Sequence, residues 1–227
     1  MKFQWRAPVP SSLRIAAIIA LCLVTFLLFL AEVVYAPAML GQETEGEQGR
    51  EAVQLLRLIS QVADLKDTLD LSIEFGFDPL IVQVTRQLAR TTFREHACSC
   101  PTWRFIRNDR DLTYLMLSII AVESRGNFKA FNPGGPAYGL TQMVMSTARH
   151  YDKTVTADKL FTIPQHLTIA MDHFVDLLEK YHGNHTLAVL AWNRGGPAVD
   201  RSLALGESPH NGYAKMVFTQ AVLRNAQ

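Results

Sequence analysis

The chain has 227 residues, 48% of them hydrophobic, a balance that builds one or two folded domains and excludes disorder throughout. Lys and Arg total 22 against 21 for Asp and Glu, so there is no global field to steer nucleic acid or a strongly acidic partner, and no nucleic-acid binding is expected. The three cysteines, Cys22, Cys98 and Cys100, are too few and too unevenly placed for a disulfide scaffold, so the fold must rest on its core.

Residues 1–14 are a basic segment with Lys2, Arg6 and Arg14, expected on the cytoplasmic side. Residues 15–36 are apolar apart from Thr25 and Glu32, long enough to cross a bilayer as a helix. The next charges are acidic, so the remainder should be exported. A cleaved signal is the alternative to an anchor, because Ala36-Pro37-Ala38 has the small-x-small pattern of a cleavage site. Leu21 precedes Cys22 where lipoprotein acylation needs a small residue, so Cys22 reads as a membrane-embedded apolar side chain. The expected location is periplasmic, anchored to the inner membrane. Residues 37–50, polar and acidic over most of their length, read as a flexible linker.

Residues 51–107 are expected to form a helical accessory region. Leu55, Leu58, Val62, Leu65 and Leu69 alternate in steps of three and four and predict one buried helical face. A second helix should follow Asp78-Pro79, with Asp78 as cap, Pro79 in the first turn and Leu80, Ile81, Val84 and Leu88 inward. His96, Cys98 and Cys100 then cluster. They supply three ligands where a closed zinc site uses four, so no metal is expected, and two thiols or a local disulfide is the plainer reading.

The next helix begins at Asn108 or Asp109, either of which can cap it. Leu112, Leu115, Met116, Ile119, Ile120 and Glu123 fall on one face, and Tyr114, Leu117, Ala121 and Val122 make the other sides apolar too. A carboxylate thus ends a buried helix, with Gly126 as the stop. Loss of water and the negative end of the helix dipole both favour the protonated form, so the pKa of Glu123 should rise. A surface Glu at a helix end, paired with Arg125 or simply solvated, is the alternative from the helix pattern alone.

After Glu123-Ser124-Arg125-Gly126-Asn127 come Asn132-Pro133-Gly134-Gly135, then Ala137-Tyr138-Gly139-Leu140-Thr141-Gln142, then Thr147-Ala148. A further helix is predicted with Thr162 and Gln165 as a capping box, with Leu167, Ala170, Met171, Phe174, Leu178 and Tyr181 inward, and Gly183 at its end. Ala191-Trp192-Asn193-Arg194-Gly195 and Tyr213-Ala214-Lys215-Met216-Val217 follow. No run of strand-type alternation is evident. In this order and spacing the chain from Asp109 onward resembles the lytic transglycosylase family of the SLT type.

That resemblance implies a mainly α fold, with a lysozyme-like helical catalytic domain over residues 108–227. It implies cleavage of the β-1,4 bond between N-acetylmuramic acid and N-acetylglucosamine in peptidoglycan, with a 1,6-anhydromuramic product and no cofactor. Glu123 would act first as acid and then as base. Ser124, Gln142 and Asn193 would hold sugar or N-acetyl groups, Tyr138 and Gly139 would border the cleft, Trp192 would offer a face to a sugar ring, and Tyr213 would position Glu123. Read singly, Ser124 is a helix-end hydrogen bonder, Asn193 a cap and Tyr213 a core aromatic. The chain departs from the family pattern at Thr141, where G-L-M-Q has Met, at Met145 in place of Pro, and in A-W-N-R-G for A-Y-N-A-G, where Arg194 adds a cation.

Most glycosidases use two carboxyl groups. Asp152, Asp158, Asp172, Asp176, Glu179, Asp200 and Glu207 all lie outside the motifs, so one acid is expected to act alone. The rival readings are a hydrolytic muramidase of the goose-type lysozyme kind, and a wall-binding scaffold without activity. Expected partners are peptidoglycan strands, the membrane, and a secretion, conjugation or flagellar machine that needs a gap in the wall.

Overall fold

The computed structural model describes residues 47–96 and 106–225. The apolar segment 15–36, Cys22, Cys98 and Cys100 lie outside them. No helix among the described residues is long and apolar enough to cross a membrane. The chain divides into two compact units, Met1–Gly76 and Phe77–Gln227.

The first unit contributes α1, Glu47–Phe75. It starts inside the stretch expected to be linker, so residues 47–50 are helical. The expected buried face holds only in part. Leu55, Val62 and Leu69 are half-buried, whereas Leu58 and Leu65 are exposed. The two sets form neighbouring rows, and the row of Leu58 and Leu65 faces water. Lys66 and Asp70 pair one turn apart at 2.7 Å.

The second unit begins with α2, Pro79–His96. Asp78 caps it as expected, its Oδ1 accepting from the Leu80 N–H at 2.8 Å. The buried residues are Ile81, Val82, Thr85, Arg86 and Ala89. Leu80 is exposed and Val84 and Leu88 are half-buried, so the inward face is rotated from the predicted one. The helix packs on α3, Asp109–Glu123, and on α6, Ile163–Lys180. The unit that begins at Phe77 thus holds both α2 and the motif-bearing segment.

Asn108 caps α3, its Oδ1 accepting from the Asp111 N–H at 2.9 Å, and Asp109 and Asp111 complement the dipole in the first turn. Every residue from Leu112 to Ile120 is buried, because α2 covers one side and α9, Tyr213–Asn225, another. The helix ends at Glu123. Arg125 then takes a left-handed φ of 57° and Gly126 one of 80°. A side chain at Gly126 would also stand 2.6 Å from the Phe77 ring, so this stop needs glycine for space as well as for backbone freedom.

Three two-residue strands follow: β1 Phe131–Asn132, β2 Ala137–Tyr138 and β3 Met143–Val144. They form one antiparallel sheet in that order, with Phe131 opposite Tyr138, and Tyr138 opposite Met143. Short helices α4 (Met145–Tyr151) and α5 (Ala157–Leu160) then pack on α6. The predicted inward face of α6 is buried throughout. Its capping box does not form. Thr162 Oγ1 donates to the Lys159 carbonyl instead, at 2.7 Å, and Gln165 donates to Asp152 at 3.1 Å. Pro164 in the first turn supplies the helical φ that the box would have helped to fix. α7, His185–Arg194, joins α6 and α9, and α8, Gly196–Ala204, packs on α7.

Candidate active site

Glu123 sits half-buried at the end of α3, and the first turn of α9 brings the Tyr213 hydroxyl to it. That hydroxyl donates to Glu123 Oε1 at 2.6 Å. Burial pushes the Glu123 carboxyl above the ordinary range, and the Tyr213 hydrogen bond opposes part of the rise. Tyr213 is itself buried, and burial together with the neighbouring carboxylate pushes its phenol well up, so it stays a donor. With Oε1 occupied as an acceptor, Oε2 is the oxygen that can carry the acidic proton. Ser124 caps the helix, its hydroxyl facing the Ile120 carbonyl at 3.4 Å, the plain helix-end role.

A hydrogen-bond chain runs on from Tyr213. Its backbone N–H donates to Asn211 Oδ1 at 3.1 Å, and Asn211 Nδ2 donates to Asn193 Oδ1 at 2.8 Å. Three residues singled out in the sequence, Glu123, Tyr213 and Asn193, are thus joined through Asn211, which was not. The Asn-Gly pair before Tyr213 is a turn signal, and it was the one trace of this role in the sequence. Arg194 extends no loose cation. Its guanidinium donates to the Pro209 carbonyl and ties the end of α7 to the segment leading into Asn211.

The turn carrying Tyr138, Gly139 and Gln142 is tied to the loop after Glu123 through Ala130, whose carbonyl accepts from the Gly139 N–H at 2.8 Å and from Gln142 Nε2 at 3.3 Å. Gln142 Nε2 also donates to the Gly139 carbonyl at 3.0 Å, so its amide nitrogen is spent on the turn and its Oε1 is the atom left to offer. Tyr138 packs between Phe131 and Phe161, with ring centroids 5.1 and 5.8 Å away. Gly139 has a φ of 68°, and a Cβ there would lie 2.4 Å from the Leu160 carbonyl.

Behind this turn is a buried residue that the sequence did not single out. His166 Nε2 accepts from the Thr141 N–H at 3.0 Å and from the Thr141 hydroxyl at 2.8 Å, while Nδ1–H donates to the Leu160 carbonyl at 2.9 Å. The backbone donor at Nε2 fixes the tautomer. Burial lowers the His166 pKa to about 4, so the ring is neutral. One histidine beside an apolar stripe reads as ordinary core, and only the fold shows it clamping the turn.

Trp192 is partly exposed, and its rings pack on His173 at 5.0 Å and Phe174 at 6.1 Å, both on α6. The His173 Nδ1 lies 3.1 Å from the Tyr151 hydroxyl, which donates to Asp176 at 2.7 Å. Other carboxylates are similarly engaged. Glu179 pairs with His96 at 2.8 Å, Asp200 with Lys180 at 2.6 Å and Tyr181 at 2.9 Å, and Asp152 accepts from the Thr154 N–H at 2.8 Å. Among the described residues the group on Glu123 is a phenol, not a second carboxylate.

Residues 106–211 match the family model described as the transglycosylase SLT domain. The match spans Glu123, the Gly139 turn, Asn193 and Asn211, and stops just short of Tyr213. A search of curated proteins finds no match to the chain.

Proposed function

Because residues 106–211 match the transglycosylase SLT domain, we propose that the chain is a lytic transglycosylase that cleaves peptidoglycan between N-acetylmuramic acid and N-acetylglucosamine. Glu123 Oε2–H protonates the glycosidic oxygen as the anomeric C–O bond breaks. The muramic C6 hydroxyl then attacks the anomeric carbon, and its proton passes to the Glu123 carboxylate. The product carries a 1,6-anhydro ring, the acid is regenerated, and no water is consumed.

The observation that carries this reading is the half-buried Glu123, its carboxyl pushed up by burial and held by the Tyr213 hydroxyl at 2.6 Å. An internal nucleophile needs orientation more than activation, which suits a carboxyl held by one phenol. A muramidase would need a second carboxylate to aim water. Asp152, Asp176, Glu179 and Asp200 are engaged in bonds that brace the fold, which supports the one-acid mechanism.

Digestion of purified sacculi with mass spectrometry of the muropeptides tests the proposal. Anhydro products lighter by one water than hydrolysis products are expected, and only reducing-end products would refute the mechanism. Glu123→Gln should lower turnover by about 10²–10⁴-fold with glycan binding retained, and undiminished turnover would overturn the role of Glu123. Release of nothing by the parent would favour a wall-binding scaffold. We further propose that the apolar segment 15–36 anchors the enzyme in the inner membrane with its domain in the periplasm, serving local wall opening for a secretion, conjugation or flagellar machine.

A further inference from the structure

Asn211 stands between the backbone of Tyr213 and the side chain of Asn193, and the direction of its hydrogen bonds has a chemical consequence. A backbone N–H can only donate, so the Asn211 atom facing Tyr213 N at 3.1 Å is the carbonyl Oδ1. The other end of that amide is therefore Nδ2, a donor, and the Asn193 atom it meets at 2.8 Å is Oδ1. What remains on Asn193 is Nδ2. Asn193 is exposed, and its Nδ2 has no protein partner among the described residues.

We infer that Asn211 is a specificity-setting positioning residue, which holds the Asn193 amide with its nitrogen outward so that this position takes an acyl carbonyl oxygen of the bound glycan. The inference rests on the glycan-cleaving reading above. Polarity is transmitted from a backbone group through two side-chain amides, and Arg194, bonded to the Pro209 carbonyl, steadies the segment from which Asn211 projects. The matching carbonyl is either the N-acetyl group of either sugar or the lactyl carbonyl of the muramic residue.

The test uses the full-length Glu123→Gln protein, titrated calorimetrically with chitotetraose and with a peptide-free tetrasaccharide of alternating N-acetylglucosamine and N-acetylmuramic acid. Measurements are made at high ionic strength, where added charge is screened. Asn211→Asp keeps an acceptor for the Tyr213 N–H but shows a second acceptor to Asn193. The Asn193 amide should turn over, presenting oxygen to the ligand carbonyl.

Asp is therefore expected to weaken binding about tenfold, and Ala, which only frees the Asn193 amide, about threefold or less. Both effects should vanish in an Asn193→Ala background. A loss with chitotetraose identifies the N-acetyl carbonyl, and a loss confined to the muramic ligand identifies the lactyl one. If Asn211 merely capped α9, the order would reverse, because Asp caps as well as Asn and Ala does not. That reversed order, or effects that persist without Asn193, overturns the inference while leaving the glycan reading intact. Asn211→Ser keeps the cap acceptor and should match Ala, which preserves the comparison if the Asp variant melts early. Binding of neither glycan by the Glu123→Gln protein with Asn211 intact would remove the glycan reading and this inference together.

Discussion

Acidification below pH 6.5 is expected to lower the stability of the fold around the turn that carries Tyr138 and Gln142, because His166 must remain neutral to hold that turn. Its Nε2 accepts two hydrogen bonds from Thr141 and has no room for a proton. Burial lowers its pKa from 6.5 to about 4, so between those values an unfolded chain takes up a proton that the native one refuses. Stability from this group is fully present above pH 6.5, falls as pH drops through 4, and changes no further below. At about 1.4 kcal/mol per pH unit of displacement, the loss amounts to about 3 kcal/mol, a large share of the roughly 5–15 kcal/mol that holds a domain together.

Urea unfolding of the parent and of His166→Leu from pH 7.5 to 3.5 measures it. The leucine variant orphans the Thr141 N–H, the Thr141 hydroxyl and the Leu160 carbonyl, so it should be destabilised at pH 7.5 by at least about 1–3 kcal/mol. Its stability should then fall less steeply with acid, and the two curves should converge by about 3 kcal/mol between pH 6.5 and 4. His173, also lowered to about 4 by burial, contributes to both curves and cancels in the difference. Parallel curves would refute the claim that His166 is a neutral clamp.

Tyr213→Phe removes the hydrogen bond that favours the Glu123 carboxylate, so the Glu123 pKa should rise further. The alkaline limb of the turnover profile should then move to higher pH while the maximum rate falls, and an alkaline limb that stays put or moves down would exclude the contact from catalysis. Gly139→Ala places a Cβ against the Leu160 carbonyl at a φ of 68° and should cost about 2–4 kcal/mol in a thermal or urea melt. A neutral substitution there would mean that the turn is not fixed as described.

The sequence carried the helix that ends at Glu123 well, because its information is local. Asn108 caps the next residues, the apolar run from Leu112 to Ile120 is buried all round, and Glu123 falls at the first place where the helix can stop. The inward face of α6 was equally readable, since Leu167, Met171, Phe174 and Leu178 repeat at helical spacing. What escaped depends on partners distant in the chain. Two-residue strands are too short for alternation to show, and α1 and α2 display apolar rows whose covering cannot be told from spacing, so Leu58, Leu65 and Leu80 were misplaced. The Thr162 box failed because Lys159 and Asp152 compete for the same side chains.

The departures from the family pattern acquire reasons at this level. Thr141 stands where the pattern has Met, and its hydroxyl and backbone N–H are both spent on His166. A methionine could not supply the hydroxyl, so the histidine and the threonine make sense only together. Arg194, in place of a small residue, reaches the Pro209 carbonyl. Both substitutions brace backbone that carries site residues: the Gly139 turn with Gln142 in one case, the approach to Asn211 and Tyr213 in the other. Neither alters the Glu123–Tyr213 contact. On the proposed mechanism, changes at Thr141 or Arg194 should bear on how sugars are held before they bear on proton transfer by Glu123.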